Sequence, residues 1–486
     1  MSAMVIFHSL SGKKEEIVKP KGRALHMFVC GPTVYDFSHL GHARTYIAFD
    51  AIVRFLRSQK WDVFYLQNVT DVDDKIIARA REEKIDPLAL AKKFFRAYLS
   101  DMKKIGVIST DTYAPATKHI PAIVRQAETL IQKGFAYKIS DGYYFDISKF
   151  PQYGALSHRT VSQADDGVSR IDEGIEKKNK GDFCLWKFPK DISGAIKFGG
   201  KKKYFVYDSE PLWNTTLGIG RPGWHIEDTA ISETYFGSQY DIHGGGIDLK
   251  FPHHEAEIAQ QESASGKTPF VRYWMHTGFL LIEGKKMSKS LHNFITIGDF
   301  LKIHSAETLR YLVLSSHYRS PFDYSELLVS QAIQSLDTIT RFFLALSFRE
   351  SSKAVSSVSE KEVTEIIQKF ESAFISAMED DFNTPLALAS IYEVMNAINK
   401  RIFALSPKSA AKLKYSIRSM LLSIGLDIQE PKIPGSVRAL AKKRDLSRVN
   451  KQFMQSDALR NEIHALGYKG EDTPIGTLLS PSKIHF

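Results

Sequence analysis

Cysteine is scarce in this chain: only Cys30 and Cys184 occur among its 486 residues. Two thiols are too few for the disulfide framework of a small secreted domain, so we expect reduced thiols in a cytoplasmic protein. No apolar run approaches the ~20 residues of a membrane-spanning helix, so we expect no membrane partner. The first residues also lack the long apolar stretch of a signal peptide.

The chain has no internal repeat and no low-complexity tract, and its apolar fraction of 43% is ordinary for a soluble globular protein. At 486 residues it exceeds one compact core, which predicts two to four domains. The net charge of +10 is compatible with a polyanionic partner such as a nucleic acid. Many soluble proteins are equally basic, so charge alone decides little.

A histidine pair stands where a strand-like segment gives way to a helical pattern. Residues 27–30 form an apolar strand-like run, and apolar residues recur at helix spacing over residues 44–58. His39 and His42 therefore lie near a helix N-terminus, where unpaired backbone N–H groups and the helix dipole favour phosphate. Gly41, between them, removes a side chain where a flat ring could press on the backbone. With a second strand predicted at 63–68, this is the opening of a parallel, nucleotide-binding α/β sheet.

A second short run carries two lysines and two serines after Gly284. It consists of Lys286, Met287, Ser288, Lys289 and Ser290. Two ammonium groups and two hydroxyls on a flexible segment suit the clamping of a triphosphate as charge develops. Taken alone, such a run is usually a solvated loop.

Together, in this order, the two runs resemble the paired signatures of class I aminoacyl-tRNA synthetases. Further segments are similar to the cysteinyl-tRNA synthetase family, namely residues 30–36, 68–75, 221–227, 241–246, 251–257 and 471–474. The resemblance extends from about Val5 to about Thr477. It implies an α/β fold: a class I Rossmann-type nucleotide-binding domain with a connective insertion, followed by an α-helical bundle and a small C-terminal domain. The expected boundaries are 1–118 and 223–304 for the two catalytic halves, 119–222 for the insertion, 305–430 for the bundle and 435–486 for the C-terminal anticodon-binding domain.

The resemblance also implies a reaction: L-cysteine attacks Mg²⁺-bound ATP to give cysteinyl-adenylate, and the terminal ribose of tRNA(Cys) then takes the acyl group. A monomer is the family expectation. The implied catalytic residues are His39, His42, Lys286 and Lys289. The implied substrate-binding residues are Cys30, Gly31, Thr70, Trp224, His243 and Asp248. The implied ATP-binding residues are His39, Gly41, His42, Gly244, Gly245, Gly246, Lys286, Met287, Ser288, Lys289 and Ser290.

The chain departs from the family at the metal site. In the family, one zinc ion is held by two cysteines, a histidine and a glutamate, and it takes the substrate thiolate. Carried over by motif, three ligands are Cys30, His253 and Glu257, but the second cysteine position is Asp228. Asp228 could ligate zinc through oxygen, or the ion could have three protein ligands and a water. Alternatively, Asp228 is a cap or loop residue and metal affinity is poor.

Structural interpretations compete at two of these positions. Trp224 is expected to close over the substrate, although a buried core position is the ordinary alternative. Thr70 is expected to contact the amino acid, and it also fits the N-cap of the following helix. Two other functions compete with tRNA charging: a ligase joining cysteine to an amino-sugar on the same catalytic half, and a non-catalytic tRNA- or nucleotide-binding relative.

Overall fold

The computed structural model describes residues 4–159, 176–189, 204–207, 210–287 and 294–483. The chain forms two compact units, which we call the N-terminal unit (5–300 with 319–322) and the C-terminal unit (301–318 with 323–483). Among the helices of these described ranges, none is long and apolar enough to cross a membrane.

The N-terminal unit alternates strands and helices. Its strands are β1 (Val5–His8), β2 (Lys13–Glu16), β3 (Leu25–Val29), β4 (Val63–Val69), β5 (Thr112–Pro115), β6 (Ala136–Ile139), β7 (Gly142–Phe145), β8 (Phe183–Lys187), β9 (Tyr204–Tyr207), β10 (Glu210–Thr215), β11 (Gly218–Pro222), β12 (Tyr240–Gly246), β13 (Val271–Thr277), β14 (Leu280–Ile282) and β15 (Lys285–Lys286). Its helices are α1 (Leu40–Ser58), α2 (Asp74–Glu83), α3 (Pro87–Lys104), α4 (Ile120–Gln132), α5 (Ile226–Phe236), α6 (Glu255–Ser265) and α7 (Ile297–Leu301).

A five-stranded parallel sheet organises this unit, in the order β13-β12-β3-β4-β5. Met27 and Phe28 of β3 and Ile242 of β12 are fully buried, as expected for strands covered on both faces. The strand order reverses between β3 and β12, because the chain leaves β3 in one direction and returns to β12 on its other side. Ligands bind at such a switch point, outside the carboxyl ends of the strands. The predicted Rossmann-type architecture is therefore confirmed.

Helix α1 begins at Leu40, earlier than the predicted start at residue 44. His39 is its N-cap, and the His39 and His42 side chains both accept hydrogen bonds from backbone N–H groups. Apolar periodicity locates the buried face of a helix, whereas an imidazole cap adds a first turn that periodicity does not show.

Along the chain, between β5 and β12 of the parallel sheet, strands within residues 136–222 form a separate antiparallel sheet ordered β6-β7-β8-β11-β10-β9. Phe183, Leu185 and Trp186 of β8 are buried in its core. Arg221 of β11 ties this sheet to the N-terminus of α2, since its guanidinium lies 2.5 Å from Asp74. The sheet falls within the segment expected to be an insertion.

The C-terminal unit is mainly helical, as predicted. Its elements are α8 (Ala306–Leu314), β16 (Phe322–Tyr324), α9 (Glu326–Glu350), α10 (Glu360–Glu379), α11 (Thr384–Asn399), α12 (Pro407–Ser423), α13 (Gly435–Val449), α14 (Phe453–Ala465), β17 (Tyr468–Thr473) and β18 (Gly476–Pro481). The first residue of β16, Phe322, belongs to the N-terminal unit. The starts of α8 to α12 are set by side-chain caps, from Ser305, Ser325, Ser359, Asn383 and Ser406. β17 and β18 form an antiparallel hairpin.

Candidate functional site

A cavity of about 330 Å³ opens at the carboxyl edge of the parallel sheet. Segments that follow the parallel strands line it: Cys30–Thr33 after β3, Thr70 after β4, Gly246–Leu249 at the end of β12, and Gly278 after β13. His39, Gly41 and His42 at the start of α1 line the same cavity. The strand order thus brings together residues separated by more than two hundred positions.

The histidine pair is held by the backbone it caps. His39 Nδ1 accepts a hydrogen bond from the Gly41 N–H at 3.0 Å, and His42 Nδ1 accepts one from the His39 N–H at 3.3 Å. The two rings are stacked, with centroids 3.9 Å apart. A Cβ at Gly41 would lie 2.8 Å from the His39 ring, so the ring that presses on this backbone is His39 itself.

Burial lowers the pKa of His42 well below its ordinary value, and the His39 imidazole adds to this effect. His42 is therefore neutral near pH 7. In a neutral imidazole whose Nδ1 accepts, the proton is on Nε2. The His42 ring can thus donate a hydrogen bond through Nε2 without carrying a charge.

The lysine-rich run is described only in part. Lys286 lies in β15, but its side chain is outside the described residues, as are Ser288, Lys289 and Ser290. Met287 lines the cavity, and its sulfur accepts from the Ile295 N–H at 3.4 Å.

Four potential metal donors converge beside the cavity, and all are buried: Cys30, Asp228, His253 and Glu257. Cys30 Sγ lies 3.3 Å from Asp228 Oδ2 and 3.9 Å from Glu257 Oε1. His253 Nε2 lies 3.1 Å from Asp228 Oδ2 and 2.8 Å from Glu257 Oε1. A tetrahedral ion with bonds of 2.0–2.3 Å needs donors roughly 3.3–3.7 Å apart, so the set fits a metal after small adjustments.

The pKa values of these four donors reflect their burial and the two carboxylates among them. Burial, and then the Glu257 and Asp228 carboxylates, raise the pKa of the Cys30 thiol well above its ordinary value. Burial raises the pKa of Glu257 to about 7 despite His253. Burial also acts to lower the pKa of His253, but the Glu257 and Asp228 carboxylates outweigh it and raise that pKa to about 10. A divalent cation would compensate the same negative charge.

Neighbouring groups orient the donors. Asn68 Nδ2 donates a hydrogen bond to Asp228 Oδ1, which leaves Oδ2 facing Cys30 and His253. His253 Nδ1 lies 2.9 Å from His225 Nδ1, so His253 Nε2 faces the carboxylates. Such outer contacts fix which atom of a side chain is available to a metal.

A second group of potential donors shares two members with the first: Cys30, His243, His254 and Glu257. His254 Nε2 lies 3.1 Å and His243 Nε2 3.3 Å from Cys30 Sγ. The other ring nitrogens contact His276 and the Tyr240 hydroxyl. Sequence reasoning missed His254 and Asn68. The adjacent pair His253-His254 and the position of Asn68 at the carboxyl end of β4 were the available signals.

The glycine run also has a structural role. A Cβ at Gly244 would lie 2.3 Å from the Phe49 ring, and one at Gly245 would lie 3.0 Å from the His254 ring. Of the three glycines only Gly246 lines the cavity. Gly244 and Gly245 therefore make room for packed protein rings, and the close approach of this run to a nucleotide stays a prediction.

The remaining predicted substrate-binding residues differ in whether they line the cavity. Gly31, Trp224 and Asp248 line the cavity, whereas His243 is buried behind Cys30. Trp224 is 38% exposed, so the alternative of a core position is wrong.

Thr70 also lines the cavity. It is not the N-cap of α2; Asp73 occupies that position, and the Thr70 hydroxyl instead donates to Glu227 Oε1.

Comparison with known proteins agrees with the sequence motifs. Residues 16–334 match the family described as "tRNA synthetases class I (C) catalytic domain", and residues 373–429 match the "DALR domain". The chain is 42% identical to the "Cysteine--tRNA ligase" of Thermococcus kodakarensis, with 99% of each chain covered. It is 40% identical to the protein of that name from Acinetobacter baylyi, with 98% and 99% covered.

Solved structures agree on the fold. Methionyl-tRNA synthetase of Mycobacterium tuberculosis bound to methionyl-adenylate superposes with a TM-score of 0.59 at 15% identity, covering 84% of this chain and 92% of that one.

The matches to the cysteine ligases extend over both the catalytic half and the C-terminal region, which does not favour a ligase built on the catalytic half alone. The chain belongs to the cysteine–tRNA ligase family of class I aminoacyl-tRNA synthetases.

Proposed function

We propose that this chain ligates L-cysteine to tRNA(Cys) in two steps. The cysteine carboxylate attacks the α-phosphorus of Mg²⁺-ATP, which forms cysteinyl-adenylate and releases pyrophosphate. The terminal ribose of the tRNA then takes the acyl group, and AMP leaves. Catalysis of this kind relies on positioning and charge stabilisation, so it does not require a general base.

One observation carries the proposal: a single cavity is lined both by the histidines at the start of α1 and by three potential metal donors, Cys30, Asp228 and His253. The first group suits phosphate, because a helix N-terminus and the neutral His42 imidazole donate toward anions. The second suits a thiol-bearing substrate. The cavity therefore matches the two reactants of the first step.

We assign one Zn²⁺ to Cys30, Asp228, His253 and Glu257. When bound, such an ion supplies a Lewis-acid position that favours a thiolate, which serine cannot provide near neutral pH. A pocket sensing size alone would gain only about 1–3 kcal/mol between these two amino acids. Direct ligation by Asp228 is favoured over a three-ligand site because its Oδ2 lies 3.3 Å from Cys30 Sγ and 3.1 Å from His253 Nε2.

The other residues take the roles that the family resemblance implies. His39 and His42 would stabilise the phosphates, with Gly41 and Gly246 allowing close approach. Lys286 and Lys289, with Met287, Ser288 and Ser290, would stabilise the departing pyrophosphate. Around the amino acid, Asp248 would face its ammonium group, Thr70 and Gly31 would line its head, and Trp224 would cover its side chain. His243 would act from behind Cys30, which it contacts at 3.3 Å.

The tRNA would be recognised in part by residues 435–486, whose first helix carries the exposed basic residues Arg438, Lys442, Lys443 and Arg448. Lysine and arginine contacts to phosphates give binding that weakens steeply with salt. We further propose a cytoplasmic monomer divided into the five segments that the sequence predicts.

Cysteine-dependent exchange of pyrophosphate into ATP tests the proposal. We expect exchange with cysteine to exceed that with serine by roughly 10³-fold or more, which binding by size alone cannot supply. Lys289→Ala should lower exchange by roughly 10²–10³-fold with little change in cysteine affinity, as for a transition-state contact. Lys285→Ala is the matched control, because Lys285 is exposed in the same segment, and it should be unchanged. Absence of cysteine-dependent exchange would refute the function.

A further inference from the structure

The donor group beside the cavity is unusual in its chemistry: one sulfur, one imidazole nitrogen and two carboxylate oxygens, from Cys30, His253, Asp228 and Glu257. Thiolates favour soft, thiophilic ions, whereas carboxylates favour harder ones. A thiolate at position 228 would make a two-sulfur site. With aspartate there, sulfur supplies one donor of four.

The Asp228 carboxylate is arranged to offer a single oxygen, and Glu257 directs one of its two oxygens at the same group. Asn68 occupies Asp228 Oδ1, and Asp228 Oδ2 faces the other donors. Glu257 Oε1 faces His253 and Cys30, while its Oε2 lies 3.4 Å from His243 Nδ1. One-oxygen carboxylates suit a four-coordinate ion of the first transition row, whereas larger ions such as Ca²⁺ take six to eight oxygens.

We propose that this chain holds its metal through a single thiolate and takes borderline ions, Zn²⁺ or Co²⁺, in preference to thiophilic Cd²⁺. Asp228 is the residue that sets this preference. The inference rests on the proposed assignment of Asp228 as a ligand and goes beyond it, because it specifies which metals the site accepts.

Metal competition tests the preference without any substrate. The apo protein is dialysed against equal concentrations of Zn²⁺ and Cd²⁺, and bound metal is measured by elemental analysis. Wild type should retain mainly zinc. In Asp228→Cys the bound Cd²⁺:Zn²⁺ ratio should rise by about tenfold or more, because a second thiolate favours the softer ion. Equal ratios in the two proteins would overturn the proposal, as would displacement of zinc by cadmium in wild type.

The cobalt spectrum provides a second, independent measurement. Each cobalt–thiolate bond contributes a charge-transfer band in the near ultraviolet. Wild type loaded with Co²⁺ should show a band that Cys30→Ser abolishes and that Asp228→Cys increases about twofold. Cys184→Ser is the matched control, since Cys184 belongs to neither donor group, and it should leave the band unchanged. An unchanged band in folded Asp228→Cys would place the ion with His243 and His254 instead and overturn the proposal.

The test gives a result even if one variant fails to fold, and a parallel assay separates the metal inference from the proposed function. If Asp228→Cys does not fold, the competition in wild type still supports or overturns the preference. Cysteine-dependent pyrophosphate exchange is measured on the same preparations. If wild type shows the metal preference but no exchange, the proposed function fails and the metal inference stands. If wild type shows exchange but no metal preference, the metal inference fails and the proposed function stands.

Discussion

The indole ring of Trp224 is stacked on the imidazole ring of His253, with ring centroids 4.5 Å apart and planes inclined by 23°. Trp224 is thus an exposed aromatic side chain lying over a proposed metal ligand, and it lines the cavity. A flat ring in this position can cover a small substrate bound at the metal while restricting the orientation of His253.

Replacing Trp224 by alanine should therefore raise the KM for cysteine by roughly 10–100-fold, the range expected for losing one apolar contact surface in a small pocket. Trp224→Phe should recover most of the loss, because a phenyl ring retains the stacking. Pyrophosphate exchange at varied cysteine concentration measures both, and bound metal is quantified alongside. A KM unchanged in the alanine variant would show that Trp224 does not cover the substrate.

His42→Asn should lower the rate of adenylate formation by roughly 10²–10³-fold while changing cysteine affinity little, since the ring would act on charge that develops in the transition state. Burial lowers the pKa of His42 well below its ordinary value, so the ring stays neutral throughout pH 6–8. The ratio of wild-type to variant rates should therefore be constant across this range. A ratio that rises toward pH 6 would indicate a charged ring. His464→Asn, on the exposed face of α14, is the control and should exchange normally.

Gly31→Ala should destabilise the N-terminal unit. A Cβ at Gly31 would lie 1.8 Å from the Asn68 carbonyl oxygen, which is backbone and cannot rotate away. Forcing atoms into packed regions costs about 1–3 kcal/mol, so the thermal midpoint should fall by several degrees. Gly435→Ala is the matched control: nothing lies within 4 Å of its Cβ, at the start of α13. Equal thermal midpoints for the two variants would show that the close approach at Gly31 relaxes freely.

The β17–β18 hairpin should loosen in acid. Arg444 Nη1 lies 2.6 Å from Asp472 Oδ1, and this hydrogen bond, with that from Arg448, lowers the pKa of Asp472 to about 2. Because the folded value lies below the ordinary 3.8, ionised Asp472 stabilises the fold above about pH 4, and this is lost as pH falls toward 2.

Asp472 is 41% exposed, so solvent screening limits the contribution to about 1 kcal/mol or less. Hydrogen exchange of residues 468–481, corrected for the intrinsic rate at each pH, measures the effect. Asp472→Asn should exchange faster than wild type at pH 5 and equally near pH 2. A difference that persists at pH 2 would assign the effect to something other than ionisation.

Local patterns were sufficient for much of the fold. Helix α3 spans Pro87–Lys104, and its two signals, a proline start and an apolar stripe, are both local. The bundle helices also begin at local signals, since Ser and Asn side chains cap their first turns. Side-chain caps and periodicity act over one or two turns, so a sequence contains them in full.

The sequence by itself determined the family, the parallel sheet and most residues around the cavity. Each of these signals is a short contiguous run whose residue types and spacing indicate its chemistry. Tertiary structure alone decided which atoms meet. Cys30, after β3, and Asp228, in the first turn of α5, are 3.3 Å apart because α5 packs against the parallel sheet at β4. Tertiary packing also turns His253 toward the carboxylates and His254 toward Cys30. It places the Phe49 and His254 rings against the backbone of Gly244 and Gly245. Side-chain direction depends on contacts between distant segments, and one-dimensional spacing does not contain it.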